Sequence, residues 1–167
     1  MRTLDLRHAP LRIVVVASCL LAAPLAAQTP AADPSARLRA VLPADVAERV
    51  LGRIAEARAR ELPAQALEHR ALELAAKGVA PADIETGIGR HAERLERARA
   101  ALVQGGRELP TDAETEAAEL VLHHGAGGEA VSALAEAAPS GHSLAVPLFV
   151  LSQLMDRGLP SDQALRR

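Results

Sequence analysis

Apolar side chains recur at intervals of three and four residues along most of the chain, with polar residues between them. The longest such stretch covers about residues 82–103, and its recurring positions are Ile84, Ile88, His91, Leu95, Ala98 and Leu102. This spacing falls on one face of an α-helix and predicts an amphipathic helix that packs against a core. On the opposite face, which we expect to be solvated, lie Glu93, Arg94, Glu96, Arg97 and Arg99.

Three further helices are predicted in the middle of the chain. The same apolar spacing indicates one helix at about residues 44–60 and another at about residues 64–77. Thr111 and Glu114 have the spacing of a capping box, in which the two residues satisfy each other's free backbone N–H groups. This box predicts the start of a helix that reaches about His124.

Two more helices are predicted near the carboxyl end. The first, at about residues 129–138, follows a glycine-rich break, and the second, at about residues 144–155, is apolar nearly all round. A helix that is apolar on every side is typical of a buried position, so we expect the second to be the central helix of the fold. The predicted core comprises Leu148, Leu151, Leu154 and Met155, with Ile84, Ile88 and Leu95 packed nearby.

The connections between these helices share a pattern of residue types. Residues 77–83 and 157–162 both contain, in order, a cation, a glycine, an aliphatic residue, a proline, a small residue and an aspartate. Glycine suits the left-handed position after a helix, and proline suits the first turn of the next one. The prolines follow no fixed period, so the sequence predicts an all-α fold, a compact irregular array of six to seven short amphipathic helices, and not a regular solenoid.

The amino-terminal residues have the anatomy of an export signal. Arg2, Arg7 and Arg12 precede a short apolar stretch, which ends in the small residues Ala26 and Ala27. This order predicts a signal peptide over residues 1–27, cleaved after Ala27. We expect residues 28–34 to form a flexible spacer, residues 35–167 to form a single α-helical domain, and the protein to be periplasmic or secreted.

Two other fates of the amino terminus stay open at this point. Cys19 is the only cysteine and ends a loose lipoprotein box, so the chain could be lipid-anchored through it. An uncleaved signal could also serve as an anchor. A cut after Ala27 would leave a chain without cysteine, and we expect it to have no stable membrane span.

Composition narrows the partners that the chain could bind. Aromatic residues make up 1% of the chain, and Phe149 is the only one. Single-stranded nucleic acids and proline-rich peptides are bound on aromatic surfaces, which this sequence cannot supply. A formal charge of −2 provides no basic field to attract phosphates. We therefore expect no nucleic-acid partner.

The helix that begins after Thr111 carries the candidate metal ligands. Its polar stripe comprises Asp112, Glu116, Glu119 and His123. Glu119 and His123 are one turn apart and could share a divalent cation or act as acid and base. A zinc site needs three or four convergent ligands, and the sequence contains no second strong pair such as HExxH. We expect an acidic, solvated face without bound metal, and keep a weak divalent-metal site at Glu119 and His123 as an alternative.

The remaining histidines suggest no catalytic machinery. His91 lies on one apolar stripe, and the spacing places His124 on another with Ala113, Ala117 and Leu120. Such positions are typical of partly buried histidines bonded to the backbone. His142 lies between Ser140 and Ser143 in a connection between helices, without the Gly-x-Ser-x-Gly turn of a serine hydrolase.

Two other patterns were weighed against enzyme motifs. Gly87 and Gly89 lack the third glycine and the preceding strand of a dinucleotide-binding loop. A glycosidase-like carboxylate pair could arise only through tertiary structure, from among Glu48, Glu56, Glu61, Glu68 and Glu73. The sequence therefore predicts no catalytic residue and no cofactor.

One stretch resembles other proteins. Leu62 and Pro63, the cap of Lys77, Gly78 and Val79, and the charged end of the following helix resemble segments of uncharacterised exported α-helical proteins from GC-rich bacteria. The resemblance covers residues 62–103, about a quarter of the chain. It implies an exported helical domain and no functional residue.

These observations favour a non-catalytic function. We expect an exported helical domain that presents an interaction surface to another protein of the cell envelope. The alternative is a carrier of lipids or other apolar ligands, because amphipathic helices can enclose an apolar cavity. An exposed apolar patch over a filled core would favour the first hypothesis, and an enclosed apolar pocket would favour the second.

Overall fold

The computed structural model describes residues 33–139 and 141–164, which lie within the unit Ala32–Arg167. The predicted signal peptide, its cleavage site and Cys19 lie outside the described residues. Within them the chain is all α-helical: seven helices precede one short helical turn, and no strand is present. The elements are α1 (Pro34–Val41), α2 (Ala44–Ala59), α3 (Ala64–Ala76), α4 (Pro81–Gln104), α5 (Asp112–His123), α6 (Gly128–Ala137), α7 (Ala145–Asp156) and α8 (Ser161–Ala164).

The helix bounds follow local sequence signals. The six predicted helices, α2 to α7, are all present, and each of their ends lies within one residue of its predicted position. The capping box of α5 is confirmed, since Glu114 N–H donates to Thr111 Oγ1 and Thr111 N–H donates to a Glu114 oxygen. Helix α1 was not predicted, because its eight residues bury only Leu38 and show no apolar stripe.

Left-handed residues end several helices. Gly78 and Gly158 have φ values of 72° and 89°, which confirms the caps predicted after α3 and α7. Glu61 takes the same position after α2, with a φ of 57°. Its neighbour Leu62 donates a backbone hydrogen bond to Ala57 O at 3.0 Å, which closes the helix end. The left-handed conformation costs free energy for a residue other than glycine, because its Cβ approaches the backbone closely.

Buried side chains form two separate clusters, and α4 runs through both. The first core consists of Leu38, Leu42, Val46, Ala47, Val50, Ile54, Ala57, Leu62, Ala64, Leu67, Ala71, Ile84, Ile88 and Leu95. The second core consists of Ala98, Ala101, Leu102, Ala117, Ala118, Val121, Ala126, Val131, Ala135, Leu144, Leu148 and Leu151. Helix α4 packs on α2 and α3 and also on α5 and α6; its residues Ile84, Ile88 and Leu95 belong to the first core, and Ala98, Ala101 and Leu102 belong to the second.

The predicted single core around α7 is therefore wrong. Leu148 and Leu151 belong to the second core, whereas Ile84, Ile88 and Leu95 belong to the first. The reason is the length of α4: one continuous stripe serves two sets of neighbouring helices. The central helix is α4, and α7 packs mainly on α5 at the edge of the array.

None of the helices in the described part of the chain combines the length and the apolar character needed to cross a membrane.

Candidate functional site

Glu119, one of the two candidate metal ligands, is buried between α5 and α4. Its side chain is 7% exposed, and its neighbours Ala118 and Val121 are fully buried in the second core. Arg94 Nε of α4 donates a hydrogen bond to Glu119 Oε1 at 2.5 Å. His91 Nε2, one turn earlier on α4, lies 3.8 Å from Glu119 Oε2. Both carboxylate oxygens thus face α4.

The predicted solvated face is consequently wrong at these positions. The side chain of Glu119 is buried, and that of Arg94 is only 25% exposed. His123 is exposed, and no hydrogen bond or ion pair joins it to Glu119 among the described residues. No cluster of three or more potential ligands forms within the described ranges. The Glu119–Arg94 pair joins two helices through a charge-assisted hydrogen bond.

His91 completes this polar cluster. Its Nδ1 atom is buried and has no hydrogen-bond partner in the described part of the chain. Burial lowers the pKa of His91 from its ordinary value of 6.5, while the charge of Glu119 acts against this shift and that of Arg94 acts with it. His91 is therefore neutral near pH 7. The expectation of a partly buried histidine is confirmed, but the backbone hydrogen bond is missing.

The carboxylates weighed as a glycosidase pair are all engaged with cations. Their partners are Arg39 for Glu48, Arg53 for Glu56, Arg99 for Glu61, Arg58 for Glu68, and both Arg70 and Lys77 for Glu73. Each of these contacts is an ion pair at the surface or at its edge, and none brings two of the five carboxylates together. Glu56 and Glu73 pair with cations of their own helices, and the other three pair with cations of a neighbouring helix.

The remaining histidines, serines and glycines considered in the sequence lie at helix ends, in connections or within helices. His124 Nδ1 lies 3.9 Å from Asp156 Oδ1, which places the histidine between α5 and α7. Ser143 Oγ accepts a hydrogen bond from Ala145 N–H at the start of α7, and His142 is exposed. Ser140 lies outside the described residues. Gly89 is in the middle of α4, as expected for a helix position.

Surface grooves separate several pairs of helices. The groove between α2 and α4 has a volume of about 100 Å³ and carries two arginines and three glutamates. The residues after α4 and those of α6 border a depression of about 470 Å³, lined partly by Glu108, Glu114 and Glu136. Two further grooves, of about 330 and 310 Å³, lie beside α4 and beside α1. All four are open to solvent.

The most distinctive surface is an apolar face of α7. Val146 is 71% exposed, Phe149 is 49% exposed and Val150 is 50% exposed. Their spacing of three and four places them on one side of the helix, which we call the α7 face. The opposite side carries Leu148, Leu151 and Ser152, which are buried. Half of the six large apolar residues that are exposed in the described ranges lie on this single helix.

The exposure of the α7 face differs from the buried position that the sequence predicts for α7. An apolar pattern on every side has two explanations, a central position or one buried side and one side that is left for a partner. Phe149 was the available signal, since aromatic residues are enriched at protein interfaces and this one is the only aromatic in the chain.

Comparison of the chain with family models, with curated proteins and with solved structures finds no match.

Proposed function

We propose that this protein is a non-catalytic, exported helical domain that binds another protein of the cell envelope through the α7 face. The observation that carries the proposal is the exposure of Val146, Phe149 and Val150 on a helix whose opposite side is packed. Exposure of apolar side chains to water costs free energy. Contiguous exposed apolar patches therefore mark interaction surfaces. Phe149 would be the central anchor.

The amino-terminal residues support the export part of the proposal. Arg12, the apolar stretch after it and the small residues Ala26 and Ala27 have the order of a cleaved signal. Delivery to the periplasm or to the exterior would bring the α7 face to envelope proteins. Mature protein from the envelope should therefore begin at Gln28. A mature chain that begins at a lipidated Cys19 would contradict the cleavage site, and cytoplasmic protein that keeps Met1 would contradict export.

The two alternatives receive less support. A carrier that shields a whole lipid from water would enclose it, whereas the four grooves described above are open and could hold a single apolar chain only at the surface. A divalent-metal site at Glu119 and His123 would need the Glu119 carboxylate, whose oxygens face Arg94 and His91. Neither alternative uses the α7 face.

Photocrosslinking in the producing cells tests the proposal. A benzophenone amino acid at position 149 should give one main adduct with a different envelope protein. Because the crosslinker occupies position 149, Phe149→Asp cannot be combined with it. The test variant is therefore Val146→Asp, which should abolish the adduct. The matched control is the same crosslinker at Val103, which is 42% exposed on α4. Equal adducts from both positions would overturn the proposal, as would an adduct of two copies of this chain.

Folding is checked in parallel. Val146→Asp and Phe149→Asp replace exposed side chains and should change the free energy of unfolding by no more than about 0.5 kcal/mol. Loss of the adduct without loss of stability would assign the binding energy to the α7 face. A large loss of stability would instead show that this side of α7 is packed in the folded protein.

A further inference from the structure

A second surface, independent of the α7 face, is the groove between α1 and α3. Helix α1 contributes Arg37, Ala40 and Val41, and α3 contributes Leu72, Ala75 and Ala76. Five of these six side chains are aliphatic. The groove has a volume of about 310 Å³, at the lower end of the range for small-molecule sites.

The floor of this groove continues the first core. Leu72 and Ala75 are half-buried and pack against that core from α3. Val41 borders the groove from α1 and is 56% exposed. An apolar chain laid against these residues would remove from water both its own surface and an exposed part of the groove.

Among the described residues, Arg37 is the only charged one that lines the groove. It forms no ion pair with any carboxylate in the described part of the chain. The nearby carboxylate of Asp33 accepts a hydrogen bond from Ser35 N–H and serves as the cap of α1. Arg39, on the same helix, differs from Arg37 because it pairs with Glu48 at 2.9 Å.

We propose that the α1–α3 groove binds a free single-chain carboxylate amphiphile, such as a fatty acid, with its apolar chain along Leu72 and Ala75 and its carboxylate at Arg37. Guanidinium groups bind carboxylates in a planar, bidentate geometry, and the exposed Arg37 lines this otherwise apolar groove. A neutral apolar ligand would leave Arg37 unused, and a cationic one would be repelled by it.

A displacement assay measures this binding. The probe is a dansyl-labelled undecanoate added to protein purified from cells that express the full chain. We expect saturable binding of one probe per chain, displaced by decanoate with a dissociation constant of the order of 100 μM. Decanol should displace the probe more weakly.

Two pairs of variants distinguish binding in this groove from non-specific binding to apolar surface. The control is the groove beside α4, of similar volume, which has its own arginine, Arg97, and an exposed alanine, Ala100. Ala76→Glu should weaken binding of the probe and of decanoate about tenfold, and Ala100→Glu should leave both unchanged. Arg37→Gln should weaken decanoate binding about threefold without changing that of decanol, whereas Arg97→Gln should have no effect on either.

Three outcomes would overturn the proposal. They are the absence of saturable binding, equal effects of the paired variants in the two grooves, and binding that begins only above the concentration at which decanoate forms micelles. A dimer by sedimentation that Ala76→Glu dissociates would show that a second copy of the chain covers the groove. Phe149→Asp should not alter probe binding, so failure here and failure of the α7 proposal are distinguishable.

Discussion

The two cores on either end of α4 are built from different side chains. Ten of the fourteen residues of the first core are Leu, Ile or Val, whereas six of the twelve residues of the second core are Ala. Burial of a large aliphatic side chain stabilises a fold far more than burial of a methyl group. The second core must therefore draw more of its stability from other interactions.

Polar contacts differ between the two halves in the corresponding way. The first half is covered by Arg–Glu pairs at the surface, such as Arg49–Glu85 at 2.7 Å, and exposed pairs of this kind contribute little. The second half contains buried hydrogen bonds between helices. Ser132 Oγ of α6 donates to Ala101 O of α4 at 2.9 Å, and Leu144 N–H donates to Glu114 Oε1 at 2.8 Å.

Small residues explain why the second half needs these bonds. Helices with Ala and Gly at their contacts approach closely, and close approach brings backbone and hydroxyl groups out of water together. Buried polar groups without partners cost free energy, so each must be satisfied inside the protein. The first half is thus stabilised mainly by the amount of buried apolar surface. The second half depends more on close packing of small side chains and on specific hydrogen bonds between helices.

The largest expected effect tests whether the two cores are separate. Ile88→Ala in the first core and Leu151→Ala in the second should each lower the free energy of unfolding by about 2–5 kcal/mol, through lost burial and a residual cavity. In the double variant the two losses should add, because the sites share no packing partners. Urea denaturation of all three variants measures this. A coupling energy well above about 0.5 kcal/mol would restore the single core predicted from the sequence.

The second prediction compares one buried carboxylate from each half. Glu114→Ala removes the acceptor of the Leu144 and Thr111 N–H groups and should cost about 2–3 kcal/mol. Glu68→Ala removes a partner of Arg58, whose side chain is 64% exposed and can be hydrated, so we expect a loss of about 1 kcal/mol or less. Thermal unfolding compares the two. Equal losses would contradict the distinction between the halves.

The third prediction uses glycine. A Cβ at Gly105 would lie 2.5 Å from Ala135 Cβ and 2.6 Å from Ser132 O, so Gly105→Ala should cost about 1–3 kcal/mol by forcing α6 away from α4. A Cβ at Gly52 in α2 meets nothing within 4 Å. Gly52→Ala should therefore stabilise the protein by up to about 1 kcal/mol through helix propensity. A rise in the melting temperature of Gly105→Ala would show that the second half is loosely packed.

The smallest effect concerns pH at the boundary between the two cores. The pKa of His91 is lowered by burial, so the unfolded chain takes up a proton at a higher pH than the folded one. Stability is then complete above the ordinary value of 6.5 and declines as the pH falls below it. His91→Gln should reduce the change of the melting temperature between about pH 7.5 and pH 5.5. An unchanged pH dependence would assign the effect to other groups.

Sequence patterns predicted what is local in this fold. The stripe of α4, the capping box of Thr111 and Glu114, and the left-handed Gly78 and Gly158 depend on residues within one or two turns of each other, and all are confirmed. Glu61 escaped prediction because no side-chain preference marks it for a positive φ.

Patterns could not predict which surfaces meet. The partner of Glu119 is Arg94, 25 positions away, and nothing in the stripe of α5 indicates that this carboxylate faces another helix. The α4 stripe is continuous, so its periodicity contains no sign of the division between the two cores. For α7, periodicity cannot identify the exposed side when both sides are apolar. These features depend on the arrangement of helices in space, and the α7 face is one of them.

The order of the two cores along the chain has a kinetic consequence. Leu95 is the last residue of the first core, and Ala98 is the first residue of the second, so neither core waits for residues of the other. Contacts between helices that are close in sequence cost little loop-closure entropy and form quickly. When the chain folds, we expect α1, α2 and α3 to pack on the beginning of α4 without waiting for the helices that follow it. The rest of α4 then serves as a template on which α5, α6 and α7 condense.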